Sequence, residues 1–354
     1  MKKNWLLYGA YGYTGELIAR EAVKRGMKPI LAGRNLQKLK PLAEELNLEM
    51  RVFAIDEKIA DSLSGIDAVL HCAGPFSETS ALMIEGCLSA KAHYMDITGE
   101  IPVFEHTHAQ HDRAKRAGIV LCSGVGFDII PTDCTALKLK ELMPDATHLA
   151  LGFESDSGIS PGTYKTMIQG LGSGSAERKA GKLTAVPLGS QRRTIDFGRG
   201  RRSAMGIPWG DVATAFYTTG IPNISTWVPF PKALAAGAGL TAGLQPLLAS
   251  SFLQNLLKDW VERRVSGPDE IFRANSPAYI WGEVRNKAGI IKVARIQTAN
   301  VYDLTVYGAL EAVSRLMAGE FPGGSSSPAL LFGSSLLEKL PGSEKFEVDT
   351  FFPS

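Results

Sequence analysis

Cysteine is scarce: the 354 residues hold four, Cys72, Cys87, Cys122 and Cys134, and no two form a C-x-x-C pair. Three of them sit in apolar runs, which fits reduced, mostly buried thiols in a cytoplasmic protein better than a disulfide framework. A marked excess of either charge is also missing. With a net charge of +2 and no basic stripe interleaved with aromatics, nucleic acid is not an expected partner. The opening MKKNWLL sets two lysines before apolar residues, but the run stops at Gly9 and no A-x-A site follows, so it reads as a first strand and not a secretory leader. No internal repeat is present. Long uncharged runs are rare; the exception, residues 233–257, could cross a bilayer by length. Pro246, the glycines and the polar Gln245, Gln254 and Asn255 lower its insertion tendency. A buried helical hairpin or a homodimer interface is favoured there. The alternative is peripheral contact with a membrane or lipid, which would suit an apolar substrate.

What is present is a regular alternation. The apolar runs NWLLYG, KPILAG, MRVFAID, DAVLHCAG, AHYMDITG and GIVLCSG each end in a turn residue, with amphipathic segments between them. Near-continuous apolar strands separated by helices imply a parallel sheet covered on both faces. The expected fold is α/β: a Rossmann-type doubly wound parallel sheet over residues 1–135, then a second α+β domain with a mixed or antiparallel sheet over 136–354. In ELIAREAVKRG, Leu17, Ile18, Ala22 and Val23 are expected to share the buried face of the first helix. Doubly wound sheets bind ligands beyond the carboxyl ends of their strands, so the turns after the first, second and fourth strands should line one crevice.

Gly9, Gly12 and Gly15 lie between the first strand and a helix that begins around Tyr13. In that setting Gly9 allows a tight turn, Gly12 lets backbone approach a pyrophosphate, and Gly15 lets helix and strand pack closely. The helix N-terminus offers N–H groups to the phosphates, and the Thr14 hydroxyl is placed to add a hydrogen bond. The second strand ends in Gly33, Arg34 and Asn35, with no acid for a ribose 2′-hydroxyl. A guanidinium matches a 2′-phosphate in charge and fork geometry, so NADP(H) is expected over NAD. Asp56, closing the third strand in FAID, either reaches the adenine amino group or caps a helix. After the fourth strand, the small Ala73 and Gly74 let the nicotinamide half pass close to the backbone, and Pro75 stiffens the turn.

Acids at the same rim are candidate proton donors: Asp96, with Thr98 and Glu100, in DITGE, and Asp128, with Thr132, in GVGFDIIPTD. Helix capping or turn closure is an equal alternative for both. The run EHTHAQH, Glu105 to His111, has metal-ligand residue types, but its Gln, Asp, Arg and Lys neighbours mark a solvated outer helix, and no metal is expected. No tyrosine is followed by a lysine four residues later, which excludes the proton-donating pair of short-chain dehydrogenases.

In order, YGAYGYTGELIA, LAGRN, VLHCAGPF, YMDITGE and GVGFDIIPTD resemble the saccharopine dehydrogenase-like oxidoreductases, more narrowly the branch that includes trans-acting enoyl reductases and the saccharopine dehydrogenase-like proteins of animals. The similarity is strong over 5–135. Later, SPGTYKTM resembles the family's S-G-G-T segment and GGSSSPALLFGSSLLEKL its G-G-x-x-[ST]-P-A segment. The resemblance implies an NADP-binding Rossmann domain facing an α+β domain, with dinucleotide contacts at Gly9, Ala10, Gly12, Tyr13, Thr14, Gly15, Arg34, Asn35, Ala73, Gly74 and Pro75. Tyr11 departs from the pattern, standing where the family often has a small or hydroxyl residue. Pro161 departs too, replacing the first glycine of S-G-G-T and leaving Thr163 and the catalytic candidate Tyr164 without a firm role.

Three functions follow. The first is an NADPH-dependent reductase of a small or acyl-chain substrate, an activated enoyl group among them, with a nearby acid or tyrosine supplying the proton. The second is a saccharopine-type C–N oxidoreductase, whose carboxylate-rich substrate would draw on Arg192, Arg193, Arg199, Arg201 and Arg202; these cluster in one glycine-rich loop, where solvated charge is favoured. The third is a non-catalytic dinucleotide-binding protein attached to a membrane through 233–257.

Overall fold

Trp5, Leu6, Leu7 and Tyr8 are all buried, as an apolar strand inside a parallel sheet requires. The computed structural model describes residues 4–156, 175–187, 190–230 and 275–353. Tyr164, with Thr163, and the 233–257 stretch lie outside the described residues.

The chain begins with β1 (Trp5–Tyr8), α1 (Tyr13–Lys24), β2 (Ile30–Gly33), α2 (Leu36–Leu46), β3 (Met50–Val52), α3 (Ile59–Ser62) and β4 (Ala68–His71). It continues with α4 (Phe76–Ala90), β5 (His93–Asp96), α5 (Ile101–Ala109), α6 (His111–Ala117), β6 (Val120–Cys122) and α7 (Ile130–Leu142). Next come β7 (His148–Ser155), β8 (Ser175–Lys179), β9 (Lys182–Val186), β10 (Arg192–Asp196), β11 (Arg201–Ile207), α8 (Asp211–Thr219) and β12 (Asn223–Pro229). The described chain closes with β13 (Ala278–Arg285), β14 (Ile291–Thr298), α9 (Val301–Ala318), β15 (Gly324–Ser325), α10 (Pro328–Phe332) and β16 (Glu347–Phe351).

These elements form two compact units, Met1–Ile130 with Tyr302–Phe332, and Pro131–Val301 with Gly333–Ser354. In the first, the sheet order is β15-β6-β5-β4-β1-β2-β3, and every pair is parallel. The winding reverses between β1 and β4, which makes the ends of those two strands the topological switch point. Leu6, Tyr8, Ile30, Ala32, Val69, Tyr94 and Leu121 of the sheet share a core with Met83, Ile84 and Cys87 of α4.

The buried face of α1 is Gly15, Ile18, Ala19 and Ala22. Leu17 and Val23, expected on that face, flank it instead, and Val23 is 36% exposed. Small residues let the helix lie close to the sheet, which displaces the bulkier pair to the sides. Strand β3 is also shorter than MRVFAID suggested: it stops at Val52, and Asp56 lies in the bend beyond. As an edge strand it leaves Met50 and Val52 exposed.

The sequence pattern divides at residue 135, whereas the folded chain returns α9, β15 and α10 to the first unit. Thr305 Oγ1 of α9 accepts the Phe127 N–H at 3.0 Å. The GGSSS segment adds β15 beside β6, where Gly324 N–H donates to Ile119 O and Ser326 N–H to Leu121 O. His111 Nδ1 accepts the Ser325 N–H at 3.1 Å, and its ring lies against Gly324, where a Cβ would meet Cε1 at 2.7 Å. His111 of the histidine run is therefore committed to holding β15.

The second unit carries a mixed sheet in the order β10-β11-β12-β7-β13-β14-β16, with the β8–β9 hairpin attached to β12. β7 and β12 pair in parallel and their neighbours antiparallel. Leu149, Leu151 and Val284 of this sheet pack with Leu139 of α7 and Ala215 of α8. Among the described residues no helix is long and apolar enough to cross a membrane.

Candidate cofactor and catalytic site

The loop after β1 closes through Gly9 N–H and Ala10 N–H, which both donate to Ala32 O at 2.9 and 3.2 Å, and through Gly12 N–H donating to Gly9 O at 3.0 Å. Gly9 has φ +82°, a conformation glycine enters without strain, and a Cβ there would lie 2.8 Å from Ala73 N. At Gly15 a Cβ would overlap the Gly9 carbonyl oxygen. Gly12 is the N-cap of α1 and brings no side chain to its first turn. The result is a backbone cradle at a helix N-terminus, closed where side chains would fill it, and it fits a dinucleotide pyrophosphate. Ala10, fully buried with its N–H committed to Ala32, serves the closure of that cradle. Tyr13 turns its ring edge-on to Tyr302 at 5.1 Å, and Thr14 is half-buried in the first turn.

The turns after β1, β2 and β4 do converge, through Gly9 on Ala73 and through Tyr11 on Gly33. Arg34 is exposed and has no ion-pair partner among the described residues, which leaves its guanidinium available to an anion. Asn35 caps α2, its side chain accepting the Lys38 N–H at 3.1 Å. Asp56 Oδ1 accepts the Lys58 N–H at 2.8 Å, so this oxygen closes a local turn. On the other side of the switch point the Gly74–Pro75 peptide is cis. Thr79 Oγ1 lies 2.9 Å from Ala73 O, 3.1 Å from Pro75 O and 2.9 Å from His71 Nε2. His71 is wholly buried, and burial pulls its pKa down to about 3, so it is neutral. Thr79 and His71 thereby fix the turn that carries Ala73, Gly74 and Pro75.

The candidate acids separate clearly. Asp96 is fully buried at the end of β5. Its Oδ2 accepts from the Tyr94 and Ser123 hydroxyls at 2.7 and 2.9 Å, and its Oδ1 from Thr98 N–H and Gly124 N–H at 3.0 and 2.9 Å. A carboxylate so enclosed ties the ends of β5 and β6 together and has no opening to a substrate. Burial lifts its pKa to about 6 against the pull of those hydrogen bonds. Asp96→Ala strands buried donors, and unfolding in urea should show a loss of about 3 kcal/mol or more; a loss near zero would remove this anchoring role.

Asp128 keeps partial exposure at the rim, its carboxyl over Gly99, where a Cβ would meet Oδ2 at 2.8 Å. Burial, then the charge of Glu100, raises its pKa to about 7. Glu100 is itself held in place: its two carboxyl oxygens accept Phe76 N–H and Ser77 N–H, each at 2.8 Å, at the start of α4. Sequence reasoning put Glu100 on the rim but not onto α4, because nothing local pairs residues 76 and 100. Tyr94 and Ser123 were missed as partners of Asp96; the sequence signal available was a tyrosine two residues before it on the same strand face.

In the second unit, Arg192 and Arg193 lie on β10 and Arg201 and Arg202 on β11, a correction to their placement in a single loop; Arg199 occupies the turn between these strands. Arg193 stacks 4.9 Å from the Trp281 ring and pairs with Glu283 at 2.8 Å. Arg199 and Arg202 pair with Asp156 and Glu154 at 2.6 and 3.2 Å. The named carboxylates and rings already satisfy these three cations.

Residues 5–122 match the family model described as the saccharopine dehydrogenase NADP binding domain. A probable mitochondrial saccharopine dehydrogenase-like oxidoreductase of Arabidopsis thaliana is 30% identical over 194 residues, 48% of this chain and 43% of that protein. The human saccharopine dehydrogenase-like oxidoreductase is 27% identical over 214 residues, 52% of this chain and 50% of that protein. The chain thus spans about half the length of the curated relatives it matches. Among solved structures, apo saccharopine dehydrogenase (L-Glu forming) of Saccharomyces cerevisiae shares the fold, with a TM-score of 0.69 at 11% identity over 99% of this chain and 100% of that one.

Proposed function

We propose that this chain, whose residues 5–122 match the saccharopine dehydrogenase NADP binding domain, is a saccharopine dehydrogenase-like oxidoreductase and acts as an NADP(H)-dependent reductase of a small or acyl-chain substrate, an activated enoyl group in particular. The observation that carries the reading is the Asp128 carboxyl at the crevice rim, with a pKa near 7. Bound NADPH supplies a hydride. The backbone at Gly9, Gly12 and the first turn of α1 holds the pyrophosphate, Arg34 holds the 2′-phosphate, and the Ala73–Pro75 backbone leaves room for the nicotinamide half. Asp128 gives its proton to the substrate atom left electron-rich by reduction, and burial, helped by the charge of Glu100, keeps that proton in place up to about pH 7. An acyl-chain substrate also suits the uncharged 233–257 stretch.

A saccharopine-type C–N oxidation is the second reading, favoured by the family match. The pairing of Arg193, Arg199 and Arg202 with Glu283, Asp156 and Glu154 weighs against it, since a substrate with several carboxylates needs unpaired cations. Loss of NADPH fluorescence on adding 2-enoyl thioesters supports the first reading; saccharopine-driven reduction of NADP supports the second.

For the cofactor, Arg34→Ala should raise the Kd for NADP about 10–100-fold and leave that for NAD unchanged. Titration of the wild type with both dinucleotides is the control, and equal affinities there would overturn the 2′-phosphate assignment.

A further inference from the structure

Gly33, the last residue of β2, has no side chain where one would collide with Tyr11: a Cβ built on it would lie 2.5 Å from Tyr11 Cε1, 3.2 Å from Cδ1 and 3.3 Å from Cζ. The Tyr11 ring, half-buried in the glycine loop after β1, is therefore packed against the end of β2 with its Cε1 edge nearest Gly33. Arg34 follows Gly33 directly and has no ion-pair partner among the described residues. Beneath them, the Tyr8 hydroxyl is already committed, donating to Phe53 O at 3.1 Å. Tyr11, Arg34 and Asp56 all act electrostatically on Tyr8, which places the four groups in one cluster at the carboxyl ends of β1, β2 and β3. In a doubly wound domain this is where the adenosine ribose of a dinucleotide sits.

We infer that Tyr11 is a specificity-determining residue, its phenol hydroxyl donating together with the Arg34 guanidinium to the phosphomonoester on the adenosine 2′-oxygen. This rests on the NADP reading above and adds a second, uncharged donor that the sequence did not predict. The chemistry favours it on two counts. A phosphomonoester accepts several hydrogen bonds at once, and a donor to an ionised acceptor forms a stronger bond than one to a neutral hydroxyl. A phenol adds that donor without placing a further charge beside Arg34. The ring, packed against Gly33, has few other positions open to it, so little side-chain entropy is lost on binding.

Equilibrium titration, followed by tryptophan fluorescence or calorimetry, tests this without turnover. The probes are adenosine 2′,5′-bisphosphate against adenosine 5′-monophosphate, and NADP against NAD. Tyr11→Phe keeps the ring on Gly33 and removes the hydroxyl; it should weaken the bisphosphate and NADP about tenfold and leave the monophosphate and NAD unchanged. Gly33→Ala keeps the hydroxyl but drives the ring off the strand end, and it should show the same selective loss. A wild-type preference for the 2′-phosphate that survives intact in Tyr11→Phe overturns the role of Tyr11 alone. A wild type without that preference overturns the NADP reading and this inference with it.

Discussion

Asp128→Asn is expected to lower kcat about 10²–10⁴-fold on whichever substrate class the wild type reduces, with NADPH affinity unchanged. The sign of the pH dependence follows from the raised pKa. A general acid must be protonated, so the wild-type reduction rate should be level at acid pH and fall as pH rises through about 7. That limb should be absent in Asp128→Asn. In Glu100→Gln it should move to lower pH, because the Glu100 charge is the second cause of the shift after burial. A pH profile of kcat for the three proteins checks this, and a limb that persists in the asparagine variant would exclude Asp128 as the donor. The same pKa values bear on folding. Asp96 and Asp128 titrate higher folded than unfolded, so the proton-linked part of their contribution to stability is complete below about pH 4. It is lost as pH rises through about 6 for Asp96 and about 7 for Asp128.

Gly15→Ala should abolish NADPH binding and destabilise the fold by about 1–3 kcal/mol or more. Its Cβ would overlap the carbonyl oxygen of Gly9, a backbone atom that cannot swing aside, so the β1–α1 turn has to open. Gly12→Ala is the informative contrast. Gly12 has φ −77°, which any residue adopts, and a Cβ there would lie 3.3 Å from Gly9 O. That variant should fold with stability near wild type yet bind NADPH poorly, since the methyl group enters the space the pyrophosphate needs. Fluorescence titration and urea unfolding of both proteins separate the two effects; a Gly15→Ala protein that binds normally would refute the close-packing account.

The sequence made the first unit legible because its signals are local. Apolar runs ending in turns mark the parallel strands, and the glycine spacing marks the start of α1 within one residue. The acid-free Gly33–Arg34 corner pointed to the cofactor through the chemistry of one side chain. What escaped has a physical reason in each case. Asp96 and Asp128 look alike in sequence, each an acid after an apolar strand. Their difference lies in Tyr94 and Ser123, which enclose one carboxyl, and in Glu100, whose charge acts on the other. The clasp of Glu100 on Phe76 and Ser77 and the ring of Tyr11 on Gly33 join residues distant in sequence, and no periodicity reports them. The arginines read as a loop because glycines punctuate them, yet pairing of β10 with β11 turns the segment into a hairpin.

The route of the chain through its first unit also governs how that unit is made. When a ribosome has delivered the chain up to Ile130, β1 to β6 are present, but Thr305 and the β15 partner of β6 have not been synthesised. The Phe127 N–H and the outer edge of β6 must then await residues added more than 170 positions later. Nucleotide binding by nascent chains of increasing length should therefore mature late, after α9 and β15 emerge, with the second unit's 131–301 segment already outside the ribosome.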